Sequence, residues 1–110
     1  YGVVYCVSEE GELIEQATLA KVANQCMQMK GVNAAFVIGN TDEKETRISA
    51  RSDGTINVQM LAEKMFGGGH FTSAGVTFKN TSIRKAEEKL LEVLNEYLND
   101  ARSQDQKARS

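Results

Sequence analysis

The chain has 110 residues, 41% hydrophobic and 25% charged, with 13 basic and 15 acidic side chains and a formal net charge of −2. That is enough for one domain with a modest core, and the charge balance speaks against duplex DNA, which calls for a strongly basic face. A small anionic ligand is not excluded, since a pocket needs only a few placed donors; no apolar run approaches the roughly 20 residues that span a bilayer.

In chain order, Tyr1-Gly2-Val3-Val4-Tyr5-Cys6-Val7 is β-branched and aromatic with no polar face, the pattern of a strand buried on both sides. Its start at Tyr1, without a methionine or a signal-peptide pattern, is expected of a piece cut from a longer protein. From about Ile14 to Met29 the apolar spacing turns helical, with Leu19, Val22, Ala23, Cys26 and Met27 on one stripe and Gly31 as a stop. Cys6 and Cys26 read as small buried hydrophobes in a reducing compartment. One histidine and no closely spaced cysteine pair give no zinc pattern. Val32 to Ile38 is a second strand, Gly39 to Lys44 a polar turn, and Thr46 to Ser52 a third strand, together an antiparallel hairpin.

Asp53-Gly54 punctuates the chain, and Asn57 suits the N-cap of a helix with the stripe Val58, Leu61, Ala62 and Met65. Ala74 to Lys79 makes a fourth strand, and Thr81 or Ser82 caps a third helix carrying Ile83, Ala86, Leu90, Leu94 and Tyr97. The expected order is βαββαβα, an α/β (α+β) fold with helices on one mixed sheet. Residues 1–99 form the domain, and 100–110 form a polar, frayed tail without periodicity.

Gly67-Gly68-Gly69-His70 is the stretch that packing explains least. Successive glycine N–H groups can form a concave nest for an anion, and His70 adds a side-chain donor. The same residues also read as a helix cap, a flexible turn and a packed histidine. The run is not a P-loop, lacking the Gly-Lys-Ser/Thr ending, and it closes a helix where a dinucleotide fingerprint opens one. Arg51 and Ser52, at the end of the third strand, offer a planar fork and a hydroxyl suited to phosphate, or else a surface arginine beside a turn. One short helix joins the two clusters, which could converge on one anion.

These residues carry a resemblance. Arg51-Ser52, Asn57-Val58, Gly67-Gly68-Gly69-His70 and Ala74-Gly75 resemble the C-terminal DHH-associated domain of DHH phosphoesterases. The stretch from Ile48 to Gln59, with His70 to Ala74, is most similar to bacterial cyclic di-AMP phosphodiesterases, which are membrane-anchored and work in the cytosol. The likeness covers most of the chain, least so after Asn99. One departure is Phe66, where many members have a fourth glycine.

The resemblance implies a division of labour. An N-terminal domain with an Asp-His-His triplet holds two manganese ions that activate water; this domain closes over the substrate. Gly67, Gly68, Gly69 and His70 would bind a phosphate, with His70 acting in catalysis; Arg51 and Ser52 would hold a second phosphate or the far nucleotide. Asn57 is open between a ligand contact and a cap. The implied partners are cyclic di-AMP or a short dinucleotide and the DHH domain of the same polypeptide, with a homodimer left open and no duplex DNA. This chain carries no cofactor of its own and, alone, is expected to be inactive. A single-strand exonuclease, a nanoRNA or phosphoadenosine phosphatase, or a non-enzymatic nucleotide-sensing or dimerisation module are the competing readings. Mild acidity argues against a long nucleic-acid track.

Overall fold

Residues 34–40 are buried without interruption, because the strand they form has a neighbour on each side and helices on both faces. The computed structural model describes residues 2–109, with side chains described through residue 100. Its elements are β1 (Val3–Val7), α1 (Gln16–Cys26), β2 (Ala34–Asp42), β3 (Glu45–Ser52), α2 (Val58–Lys64), β4 (Gly68–His70), β5 (Ser73–Lys79) and α3 (Ile83–Arg109). They build one sheet in the order β1-β2-β3-β5-β4. β1 and β2 are parallel, joined by the helical crossover that parallel neighbours need, and the other pairs are antiparallel. The mixed-sheet α/β class is as expected, with one strand more than the sequence pattern showed.

Strand alternation sorts the side chains. Ala34, Phe36 and Ile38 of β2, Ile48 and Ala50 of β3, and Ala74 and Val76 of β5 face α2 and α3. There they pack with Val58, Leu61, Ala62, Met65, Ile83, Ala86, Leu90 and Leu94 in the main core. Each large apolar side chain buried there contributes roughly 1.5–3 kcal/mol. The stripes predicted from spacing for α2 and α3 are the ones buried, with Tyr97 partly buried at the core's edge; of the α1 stripe only Leu19 and Ala23 are fully buried. On the opposite face, Val37 meets Leu19 and Ala23 of α1 in a second, smaller cluster. Gly39 lets α1 approach, since a β-carbon there would stand 2.9 Å from Leu19 Cδ2.

Five expectations differ from the structure. β1 is not buried on both sides: it is an edge strand, with Tyr5 39% and Val7 42% exposed. The carboxylate of Glu87 in α3 raises the Tyr5 hydroxyl's pKa above the ordinary phenol value. Cys6 is exposed rather than buried, and Cys26, half-buried at the end of α1, lies against it. The hairpin turn is shorter than Gly39 to Lys44, because β2 continues through Asn40 to Asp42. Buried Asn40 is tolerated in the strand because its amide donates to Thr46 Oγ1 (2.9 Å) and Glu45 O (3.3 Å) and accepts from Gly11 N (2.8 Å). The glycine run is not simply a turn, since Gly68–His70 add β4 to the edge of β5. Finally, α3 continues to Arg109 across residues expected to be an irregular tail. Ala, Arg, Gln and Lys are good helix formers, and the backbone ladder does not require an apolar face at each turn. Among the described residues no helix is long and apolar enough to cross a membrane.

Candidate phosphate site

α1 covers the sheet only as far as β3, so beyond it the same face of β5 and β4 is open. The register shows what lies there. Directly opposed residues point to one face, and the pairings place Arg51 of β3 beside Ser73 of β5, and Ser73 beside His70 of β4. The next row is Ser49, Gly75 and Gly68; the third begins with Arg47 and Thr77. With strands about 4.8 Å apart and rows about 6.7 Å apart, the three rows span a floor of roughly 10 by 13 Å. Above it lies a trough of about 200 Å³, walled by Gln16 and Ala20 of α1 and lined by Arg47, Ser49, Arg51, Gly68, Gly69, Ser73, Ala74 and Gly75.

α1 also positions Arg51. Asn24 Oδ1 accepts from its Nε at 2.9 Å, and its Nη1 donates to the Ala50 carbonyl at 2.8 Å. Arg47 donates from Nη1 to Thr77 Oγ1 at 2.8 Å. Burial pushes the Arg47 guanidinium below its ordinary value; nearby Glu45 opposes this, and the like charge of Arg51 adds to it.

The three glycines do different work. Gly67 N donates to Ala62 O at 2.8 Å, closing α2, and a β-carbon on Gly67 would collide with the Gly75 carbonyl oxygen. Gly69 has φ of 144°, and a β-carbon there would collide with the Ser73 carbonyl. Gly68 is the open one, where a β-carbon would meet nothing within 4 Å. Because β4 is an edge, its N–H groups not aimed at β5 point away from the sheet. His70 is exposed, on the same face as Gly68 two residues along the strand. Just before the run, Phe66 takes the left-handed position after the helix, with φ of 65°, and is 98% exposed. A glycine adopts that conformation without a steric penalty.

Arg51, Gly68 and His70 are thus brought to one face, while Gly69, paired with Ala74, lines the trough through its backbone. Ser52 is not, because it alternates to the other side of β3. Its hydroxyl donates to Phe71 O and accepts from Gly54 N, both at 3.2 Å. Asn57 is the N-cap of α2, with Oδ1 accepting from Met60 N at 3.1 Å, and its N–H donates to the Tyr97 hydroxyl at 3.0 Å. Arg47 was not singled out in the sequence, and Ser49, Ser73 and Gly75 lay within the stretches quoted there without a role of their own. Alternating polar residues at 47, 49 and 51 within an apolar strand were the available signal, but their partners across the sheet come from register.

Two larger hollows, of about 270 and 470 Å³, flank the tip of the β2–β3 hairpin. In the larger one, polar groups are engaged in holding the fold together: buried Asn40 is bonded as above, and the exposed Glu10 accepts through Oε1 from Ile83 N at 2.8 Å. The trough is the better site because its polar groups line an open face. Two guanidinium groups and hydroxyls line it, the exposed His70 stands beside Ser73 at its border, and this set suits a phosphate and does not fit a pair of manganese ions. Among the described residues no three His, Cys, Asp or Glu side chains gather to hold a metal.

The family described as "DHHA1 domain" matches residues 2–100. The chain is 34% identical over 97 residues to "Cyclic-di-AMP phosphodiesterase GdpP" of Geobacillus thermodenitrificans. It is 38% identical over 96 residues to "Cyclic-di-AMP phosphodiesterase PdeA" of Listeria monocytogenes. The matches take in 88% and 87% of this chain but only 15% of each relative's length. Among solved structures, an exopolyphosphatase-related protein from Bacteroides fragilis superposes with a TM-score of 0.61 at 24% identity. That match covers 89% of this chain and 28% of the other, a likeness of fold.

Proposed function

The chain belongs to the DHHA1 domain family, and from that premise we propose that it reads the phosphates of a dinucleotide for a DHH-family phosphodiesterase. The substrate is cyclic di-AMP or its linear product, and the metal-bearing DHH domain lies elsewhere in the same polypeptide. The observation that carries this reading is the row Arg51, Ser73 and His70 beside bare Gly68, on the face that α1 leaves open. Two relatives named as cyclic di-AMP phosphodiesterases support the choice of substrate.

In this reading the backbone at Gly68 and Gly69 approaches a phosphoryl oxygen, and His70 donates to the same phosphate and steadies charge developing in the transition state. Arg51, braced by Asn24, holds a phosphate through its planar fork. Two manganese ions in the other domain would supply the activated water; this chain supplies grip and orientation. Alone, it binds without hydrolysing. The parent is membrane-anchored, with this domain in the cytosol.

The test has two arms. In a heteronuclear NMR titration of the chain with cyclic di-AMP, the largest shifts should fall on Gly68, Gly69, His70, Ser73 and the Arg51 side chain. In the full-length parent, His70→Ala should lower kcat and kcat/KM together, and Arg51→Lys should raise KM with kcat nearly unchanged. Wild-type kinetics for both variants would place these residues outside the site.

A further inference from the structure

Arg47 is the charged group in the trough that the reading above leaves without a task. Its guanidinium does not stay in its own row. Nη2 folds across Gly75, where any β-carbon would collide with it, and Gly75 lies in the central row between Ser49 and Gly68. The positive charge therefore sits in the middle of the floor, next to the most open backbone in the trough. Nε is buried and has no hydrogen-bond partner among the described residues. The ion pairs among the described residues join Lys79 to Glu45, Arg84 to Glu88 and Lys89 to Glu92, and include neither Arg47 nor Arg51.

A half-buried arginine that serves only the fold is normally paired with a carboxylate, because an uncompensated charge under cover is costly. Here two guanidinium groups line one face of a small cavity without an acid bound to either. That arrangement calls for an anion from outside with more than one charge and enough oxygens for both forks.

Resting on the phosphate-reading assignment above, we infer that Arg47 is a second phosphate-binding arginine and makes the trough prefer a terminal phosphomonoester to a phosphodiester. A terminal phosphate carries about −1.5 to −2 at neutral pH and three acceptor oxygens. A diester bridging two nucleosides carries a single charge and two free oxygens. The linear dinucleotide with a 5′-phosphate is therefore the better-held ligand, and Arg47 is the specificity-determining residue.

The experiment is calorimetric titration of the chain with three probes at fixed low salt. They are the linear adenine dinucleotide bearing a 5′-phosphate, the same dinucleotide without it, and cyclic di-AMP. The wild-type chain should bind the 5′-phosphorylated form at least about ten-fold more tightly than either of the others. Arg47→Met should shrink that preference to within roughly three-fold, and Arg47→Lys, which keeps the charge but not the fork, should fall between. Thermal unfolding is measured on each variant. If Arg47→Met does not fold, Arg47→Lys carries the test, and an unchanged preference there overturns the inference. A preference that survives Arg47→Met, while Gly68→Ala abolishes binding, overturns the role of Arg47 and leaves the phosphate reading standing. Failure of the wild-type chain to bind any probe removes both.

Discussion

Replacing Gly67, Gly68 and Gly69 by alanine, one at a time, applies the same chemical change at three adjacent positions and should give three different results. At Gly69 the new methyl would collide with the Ser73 carbonyl and stand 2.6 Å from Ala74 Cα, neither of which can swing aside. The backbone angle of 144° adds strain for any residue with a β-carbon. Together these should cost about 3 kcal/mol, on the order of 10–20 °C in Tm. Gly67→Ala meets the Gly75 carbonyl and Val76 without the backbone penalty, and should cost about 2 kcal/mol. Gly68→Ala meets nothing within 4 Å, so stability should hold or rise by about 0.5 kcal/mol as the unfolded chain loses freedom. Its methyl nonetheless would enter the space proposed above for the phosphate. Urea denaturation followed by circular dichroism gives the stability series, and calorimetric titration with the 5′-phosphorylated dinucleotide gives the binding series. Gly68→Ala should be the variant that stays folded and binds at least about ten-fold more weakly. A loss of stability there equal to that of Gly69→Ala would refute an open floor, and unchanged affinity would refute phosphate contact.

Phe66→Gly should raise stability by about 1 kcal/mol, since it relieves a left-handed backbone and removes a side chain that is almost wholly in solvent; a lower Tm in scanning calorimetry would contradict this. Asn57→Ala should cost about 1 kcal/mol through loss of the cap on Met60 N, and Asn57→Asp should restore most of it. The Asp53 carboxyl is held below its ordinary value, first by the Asn33 side-chain amide and then by the Thr55 backbone. Its contribution is thus fully present above the unfolded carboxylate pKa and is lost as pH falls through the lower folded value. Asp53→Asn should therefore flatten the acid limb of a stability-versus-pH profile, and an unchanged limb would show that another carboxylate governs it.

The buried stripes of α2 and α3 and the capping role of Asn57 could be read from the sequence, because the helical period and cap chemistry are local. The β1 error came from the same kind of reasoning. A continuous apolar run marks a strand, but it does not reveal that only one side has a neighbour. β4 escaped because glycines have poor strand propensity. These three residues pair only because β5 offers an edge and bare backbone can come close to it. The motif residues Arg51 and His70 stood out by type. Arg47, Ser49, Ser73 and Gly75 did not, since what joins them is a register between strands separated by a helix. Ser52 looked equivalent to Arg51 in sequence, yet strand alternation turns it to the other face.

That alternation has a consequence for how such a domain can change over generations. Even-numbered positions of β3 and of β5 from Ala74 to Val76 anchor the helices, while Arg47, Ser49, Arg51, Ser73 and Gly75 border the trough. The positions that keep the domain folded and those that line the trough are therefore interleaved along the same strands but largely distinct. On the phosphate reading proposed above, a point mutation at 47 or 73 would alter what the trough holds while α2 and α3 stay seated, so ligand preference would be free to change in single steps without loss of the fold.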